Sequence, residues 1–105
     1  MNDIARVSPQ EAREKVQSGK ALLVCAYDND DKYRQMHLDG SIALSKFKSG
    51  IADIEKGREI IFYWAWHAEA SAVGRAAEYQ TVGLQNTKVL SGGVAAWKNA
   101  GYPVL

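Results

Sequence analysis

A chain of 105 residues, 47% hydrophobic and 24% charged, has the makeup of one globular domain that buries a core without disulfides or metals. A formal net charge of +1 excludes general attraction to nucleic acid or an anionic membrane, and no apolar run approaches the roughly 20 residues that span a bilayer. Cys25 is the only cysteine, so an internal disulfide is excluded, and with two distant histidines it makes no zinc site. A lone thiol fits a reducing cytoplasm, the expected location. The opening Met1-Asn2-Asp3-Ile4 lacks a basic region followed by an apolar one, so no secretory signal is expected there.

In chain order, residues 4–7 are a short strand candidate. Ser8-Pro9-Gln10-Glu11 starts a helix: Ser8 caps, Pro9 suits the first helical position and Glu11 completes a capping box. That helix should run to about Ser18 and stop at Gly19. Residues 21–26 form a continuous apolar run, expected of a strand covered on both faces. Asp28-Asn29-Asp30-Asp31 is turn material that can cap a short helix over 32–36. A strand is expected over 40–44 and a brief helix over 49–56, ended by Gly57. Residues 60–63 read as a buried strand, and the alanine-rich run from about Glu69 to Val82 as a helix stopped by Gly83. Residues 87–90 are the last strand; Ser91-Gly92-Gly93 then turns the chain into a helix over 94–99. Strands alternating with helices predict an α/β fold, a mostly parallel central sheet with helices on both faces, in a single domain over 1–105.

The chain is organised around the strand at 60–63 and the loop after it. In open α/β sheets the crevice beyond a strand's carboxyl end is the usual ligand site, because the next helix points free N–H groups into it. A nucleophile at position 64 would face such an anion cradle. Trp64 itself has no lone pair to offer.

Three stretches carry a family resemblance. Leu22-Leu23-Val24 resembles the first core strand of rhodanese-like domains, and Tyr33 with His37-Leu38-Asp39-Gly40-Ser41-Ile42 resembles the acidic-aromatic helix and G-H-I-x-G-A-I segment that follow it. The run from Val89-Leu90-Ser91-Gly92-Gly93 through Trp97 to Pro103-Val104 closely resembles the family's carboxyl-terminal signature, V-L-x-G-G-x-x-A-W-x-x-A-G-x-P-V. The resemblance spans nearly the whole chain and implies the rhodanese-like fold and sulfur-transfer chemistry. Family members carry a cysteine just after the central strand, which takes a sulfane sulfur to become a persulfide. Thiolates at helix amino termini have a lowered pKa, and backbone N–H groups hold the charge of thiolate, persulfide or donor anion.

Alignment through Phe62-Tyr63 puts that cysteine at Trp64, so the chain as written lacks its nucleophile and is expected to be inactive. The implied anion-binding loop is Ala65, Trp66, His67, Ala68, Glu69 and Ala70, with His67 and Glu69 as modulators. Many relatives place arginine where this chain has Glu69; the loop instead resembles a bacterial subgroup reading roughly Y-C-x-C/W-P-x-E-A-S/T-A. Glu69 is favourable to a helix dipole and unfavourable to an incoming anion, which makes thiosulfate a poor donor. It either caps or stiffens the loop, or acts as a base or as a contact for a cationic partner. A phosphatase on the related scaffold would need cysteine and arginine bracketing the loop, and neither Trp64 nor Ala70 fits.

Two explanations of Trp64 compete. Either the domain is a natural non-catalytic binding or regulatory module, or Trp64 stands where the parent protein has cysteine or selenocysteine. The tryptophan codon is a single base from the stop codon that can encode selenocysteine and from either cysteine codon, and the rest of the loop keeps the subgroup's pattern. Cys25 reads as an inert core residue or as a resolving thiol near position 64, since parallel strands finish on one side of the sheet. His37 is expected to organise the turn before Gly40, and Trp97 to be core. The resemblance implies no cofactor and no metal. The partners it implies are a small sulfane-sulfur donor or a thiol acceptor protein, with no nucleic acid, no membrane and an undefined oligomeric state.

Overall fold

Residues 4–65 and 69–105 are described in the computed structural model of the chain. Within them run β1 (Ala5–Val7), α1 (Pro9–Gln17), β2 (Ala21–Cys25), α2 (Asp30–Gln35), β3 (Ser41–Ile42), α3 (Leu44–Ser49), a 3-10 turn (Ile51–Asp53), β4 (Glu59–Tyr63), α4 (Glu69–Thr81), β5 (Thr87–Leu90) and α5 (Gly93–Asn99). Ser8 Oγ accepts from the Glu11 amide at 3.1 Å with Pro9 in the first turn, while the Glu11 carboxylate, expected to complete a capping box, pairs with Lys15 at 2.7 Å. Asn29 caps α2 by accepting from the Lys32 amide at 3.0 Å, which starts that helix two residues earlier than expected.

The segment after β2 departs from expectation. β3 is only two residues long, and Leu44, expected in a strand, opens α3 instead. Leu44 and Phe47 lie three positions apart and are both buried, with Ile51 four further on; this helical period outweighs a two-residue edge ladder. The helix expected over 49–56 is replaced by the end of α3, a cap at Gly50 whose N–H donates to Lys46 and Phe47 carbonyls, and the 3-10 turn.

The strands among the described residues pair in parallel in the order β1-β5-β4-β2-β3. β4 is therefore central, and Ile60, Ile61, Phe62 and Tyr63 are wholly buried. One face of the sheet carries α3 and α4 through Leu44, Phe47, Ala72, Ala76 and Tyr79; the other carries α1 and α5 through Ala12, Val94 and Trp97. Side chains alternate between these faces along β4, so Phe62 belongs to the first cluster and Tyr63 to the second. Trp97 is fully buried, donates its indole N–H to the Pro103 carbonyl at 2.9 Å and meets Tyr102 edge-on at 5.2 Å. The carboxyl-terminal residues are tied back by an antiparallel bridge between Leu38 and Val104.

Candidate functional site

The carboxyl end of β4 is fixed from both sides of the sheet. Below α3 and α4, the Phe62 ring sits in an aromatic cluster, edge-on to Phe47 at 5.6 Å and stacked on Tyr79 at 5.8 Å. On the other face the Tyr63 hydroxyl lies 2.9 Å from Ser41 Oγ and accepts from the Leu38 amide at 3.4 Å. Tyr33 joins the same group by donating to the Ser41 carbonyl. Burial pushes both phenols above their ordinary range, Tyr63 far above it. The Tyr63 carbonyl accepts from the Ala26 amide at 2.9 Å, which carries the β2–β4 ladder one step past Cys25.

Position 64 comes next. Trp64 is half-buried and packs against the cluster under α3 and α4. Its carbonyl accepts from the Val94 amide at 3.2 Å, which ties the loop to the first turn of α5. The indole lies directly over Gly93. A Cβ at that residue would stand 2.7 Å from Cε2 and 2.8 Å from Cδ2, so only glycine admits the ring there. The indole N–H is buried and finds no acceptor among the described residues.

Of the remaining expected loop residues, Ala65 packs toward the α1–α5 side, while Trp66, His67 and Ala68 lie outside the described residues. Glu69 and Ala70 open α4, whose first N–H groups have no partner within the helix. The Glu69 carboxylate is held by Arg6 of β1: Nε donates to Oε1 at 2.7 Å, and a terminal guanidinium nitrogen donates to the same oxygen. Ala70 also lines a cleft of about 470 Å³ between the end of β2 and α4, with Ala26, Tyr27, Ser71 and Arg75. Arg75 spans it, donating from Nε to the Ala26 carbonyl at 3.0 Å and from a terminal nitrogen to Glu78 at 3.1 Å.

Cys25 is not brought to this site. Its Cα pairs in register with Tyr63, and its side chain lies in the same cluster as Tyr63, on the face opposite Trp64. It is 1% exposed, its Sγ lies 3.8 Å from the Tyr27 carbonyl, and burial pushes the thiol pKa up. Parallel strands do end on the same side, but the pleat puts residues 25 and 64 on different faces. His37 stacks on Tyr33 at 4.2 Å with Nδ1 2.8 Å from the Tyr33 carbonyl, and its backbone exchanges hydrogen bonds with Leu105 at 2.9 and 2.7 Å. It lies in the turn before Gly40, joined to the carboxyl-terminal residues. Among the described residues no group of His, Cys, Asp and Glu could hold a metal ion, and no helix is long and apolar enough to cross a membrane.

Sequence reasoning missed two members of this neighbourhood. Arg6 stands 63 residues before the carboxylate it pairs with, and nothing in its local sequence announces that contact. Gly93 was legible as a turn residue; its role as the floor under residue 64 appears only when α5 is docked.

Comparison with known proteins agrees with this geometry. The rhodanese-like domain family matches residues 8–100. The Alr3790 protein from Anabaena sp. superposes with a TM-score of 0.80 at 20% identity, over 94% of this chain and 90% of that one. A thiosulfate sulfurtransferase from Pseudomonas aeruginosa gives 0.81 at 22% identity, over 97% of this chain but only 20% of the larger protein. A protein of unknown function from Rhodopseudomonas palustris, described as a possible tyrosine phosphatase, gives 0.74 at 21% identity over 97% of this chain and 85% of that one. At these identities the likeness establishes the fold. No curated protein matches the chain.

Proposed function

This chain belongs to the rhodanese-like domain family, and we propose that it is a rhodanese-related sulfurtransferase scaffold whose nucleophile position is occupied by Trp64. The observation that carries the reading is the place of residue 64: directly after the wholly buried residues 60–63 of the central strand, tied through its carbonyl to α5, and ahead of the amino terminus of α4. A thiolate or selenolate there would be stabilised by the amino terminus of α4. It would attack the outer sulfur of a sulfane donor. A sulfur–sulfur bond (selenium–sulfur for a selenolate) forms to the enzyme, the donor's own sulfur–sulfur bond breaks, and the leaving group, a thiolate from a persulfide or sulfite from thiosulfate, departs with the electron pair. A thiol acceptor protein or small thiol then removes the sulfur by the reverse displacement. Trp64 can do none of this, so the chain as written is inactive, and the activity belongs to a parent form with cysteine or selenocysteine at that position.

The Pseudomonas sulfurtransferase and the Rhodopseudomonas protein share the fold alike, so the choice between sulfur transfer and a phosphatase rests on the loop residues. A phosphatase loop needs an arginine to clasp the phosphate, and Glu69 and Ala70 stand where one would serve. The competing reading is a binding module whose pocket the tryptophan fills, and the seating of the indole on Gly93 is the observation in its favour.

The test is Trp64→Cys. The introduced thiol is expected to titrate below the free value of about 8.5, read from the pH dependence of alkylation, and to gain one sulfur by mass after exposure to a sulfane donor. Glu69, paired with Arg6, supplies no positive charge, so the shift should be smaller than in relatives with arginine there. A thiol that titrates at or above the free value and never gains sulfur would refute the reading. An in-frame stop codon at position 64 of the native gene would further support it, and an ordinary tryptophan codon would favour the binding module.

A further inference from the structure

Glu69 is paired across the fold with Arg6 on β1, not with a neighbour on its own helix. Alternation along the strand explains how they meet. Val7 packs into the α1–α5 cluster and Ile4 into the α3–α4 cluster, so the residue before Val7 projects toward the α4 side. Trp64 packs on that side too. Arg6, Glu69 and position 64 therefore share one face at the carboxyl end of the sheet. The pair is solvent-accessible, with side chains 50% and 36% exposed, and such pairs add little to stability. Its consequence is electrostatic: the negative charge that opens α4 is offset on the face of the sheet that position 64 shares.

From this we infer that the Arg6–Glu69 pair is the specificity-determining element of the site at position 64: Glu69 disfavours a dianion such as thiosulfate relative to a singly charged persulfide, and Arg6 offsets that penalty. This rests on the sulfur-transfer reading above. A dianion feels the charges of the pair about twice as strongly as a monoanion does. Arg6 is the reason Glu69 does not repel every anionic species outright. Glu69 in turn prevents Arg6 from acting as an anion trap.

The charge at position 64 can be read independently of sulfur transfer. In the Trp64→Cys protein the same thiolate displaces iodide from iodoacetate, an anion, and from iodoacetamide, which is neutral. The ratio of the two rates cancels the thiolate fraction and reports the local potential. Arg6→Gln in that background should lower the ratio by about threefold and Glu69→Gln should raise it by about threefold, as expected for one unit charge at partly screened range. The double substitution should return the ratio to that of the parent. Sulfur uptake from dianionic thiosulfate relative to a singly charged alkyl persulfide should follow the same order. Ratios unmoved by either single substitution would overturn the inference and leave the pair as a mechanical strut. Ratios that move as expected while no donor loads sulfur would overturn the sulfur-transfer reading and its donor preference, but leave the pair as the element that sets the charge of the site.

Discussion

Trp64 and Trp97 are both packed tryptophans, and truncating each to alanine tests whether residue 64 belongs to the core as residue 97 does. Trp97 is fully buried among α1, α5 and the carboxyl-terminal turn, and its N–H is satisfied by the Pro103 carbonyl at 2.9 Å. Trp97→Ala should therefore cost about 3–5 kcal/mol, the usual range for emptying a buried aromatic site. Trp64 is half-buried and its buried N–H has no acceptor among the described residues. Trp64→Ala forfeits part of an apolar transfer term but removes an unsatisfied donor, so the net loss should be about 1–2 kcal/mol. Urea unfolding followed by far-ultraviolet circular dichroism measures both, with the comparison made at a common slope. Equal losses would refute the reasoning, because residue 64 would then be as much a part of the core as Trp97.

Thiosulfate–cyanide sulfur transfer should be undetectable in the chain as written, and Cys25→Ser should change nothing, because the Cys25 thiol is buried on the opposite face with its pKa raised; turnover that vanishes in that variant would show the nucleophile to be Cys25. Stability should fall as pH rises above the ordinary thiol and phenol values of 9.0 and 10.0, because Cys25, Tyr33 and Tyr63 all hold their protons more tightly folded than unfolded. The stabilising difference is intact below those values; above pH 10 Tyr63 alone should remove about 1.4 kcal/mol per pH unit. Urea midpoints across this range measure the slope, and a Tyr63→Phe variant that declines as steeply as the parent would contradict the assignment.

The parts of the fold legible in the sequence are those whose signals are local. Ser8-Pro9 before a helix and the four apolar residues at 60–63 each decide their element within a few positions. The segment over 40–51 misled because Gly40-Ser41-Ile42-Ala43-Leu44 satisfies a strand pattern by itself, while the burial that turns Leu44 into a helix start depends on Phe47 and Ile51 docking under α4. The site shows the same division. Position 64 follows from its place after β4, and Glu69 from its place at a helix start. What neutralises Glu69, and which face Cys25 takes, are settled by pairing between strands far apart in the chain.

The fit of Trp64 over Gly93 needs separate weighing, because a snug fit can suggest a pocket shaped for its occupant. Gly93 adopts φ +60° and Gly92 φ +78°, and a Cβ at Gly92 would stand 2.4 Å from that of Ala96. The turn into α5 thus calls for glycines whatever residue stands at 64, and the open space above Gly93 is a by-product that any side chain there inherits. The indole N–H is the more discriminating atom. Buried tryptophans usually find a partner for it, as Trp97 does at Pro103, and a residue selected to close a pocket would be expected to have one. At Trp64 the donor meets none among the described residues. An indole that uses leftover space and leaves its one polar atom without an acceptor among the described residues fits the proposed substitution at a position laid out for a smaller nucleophile.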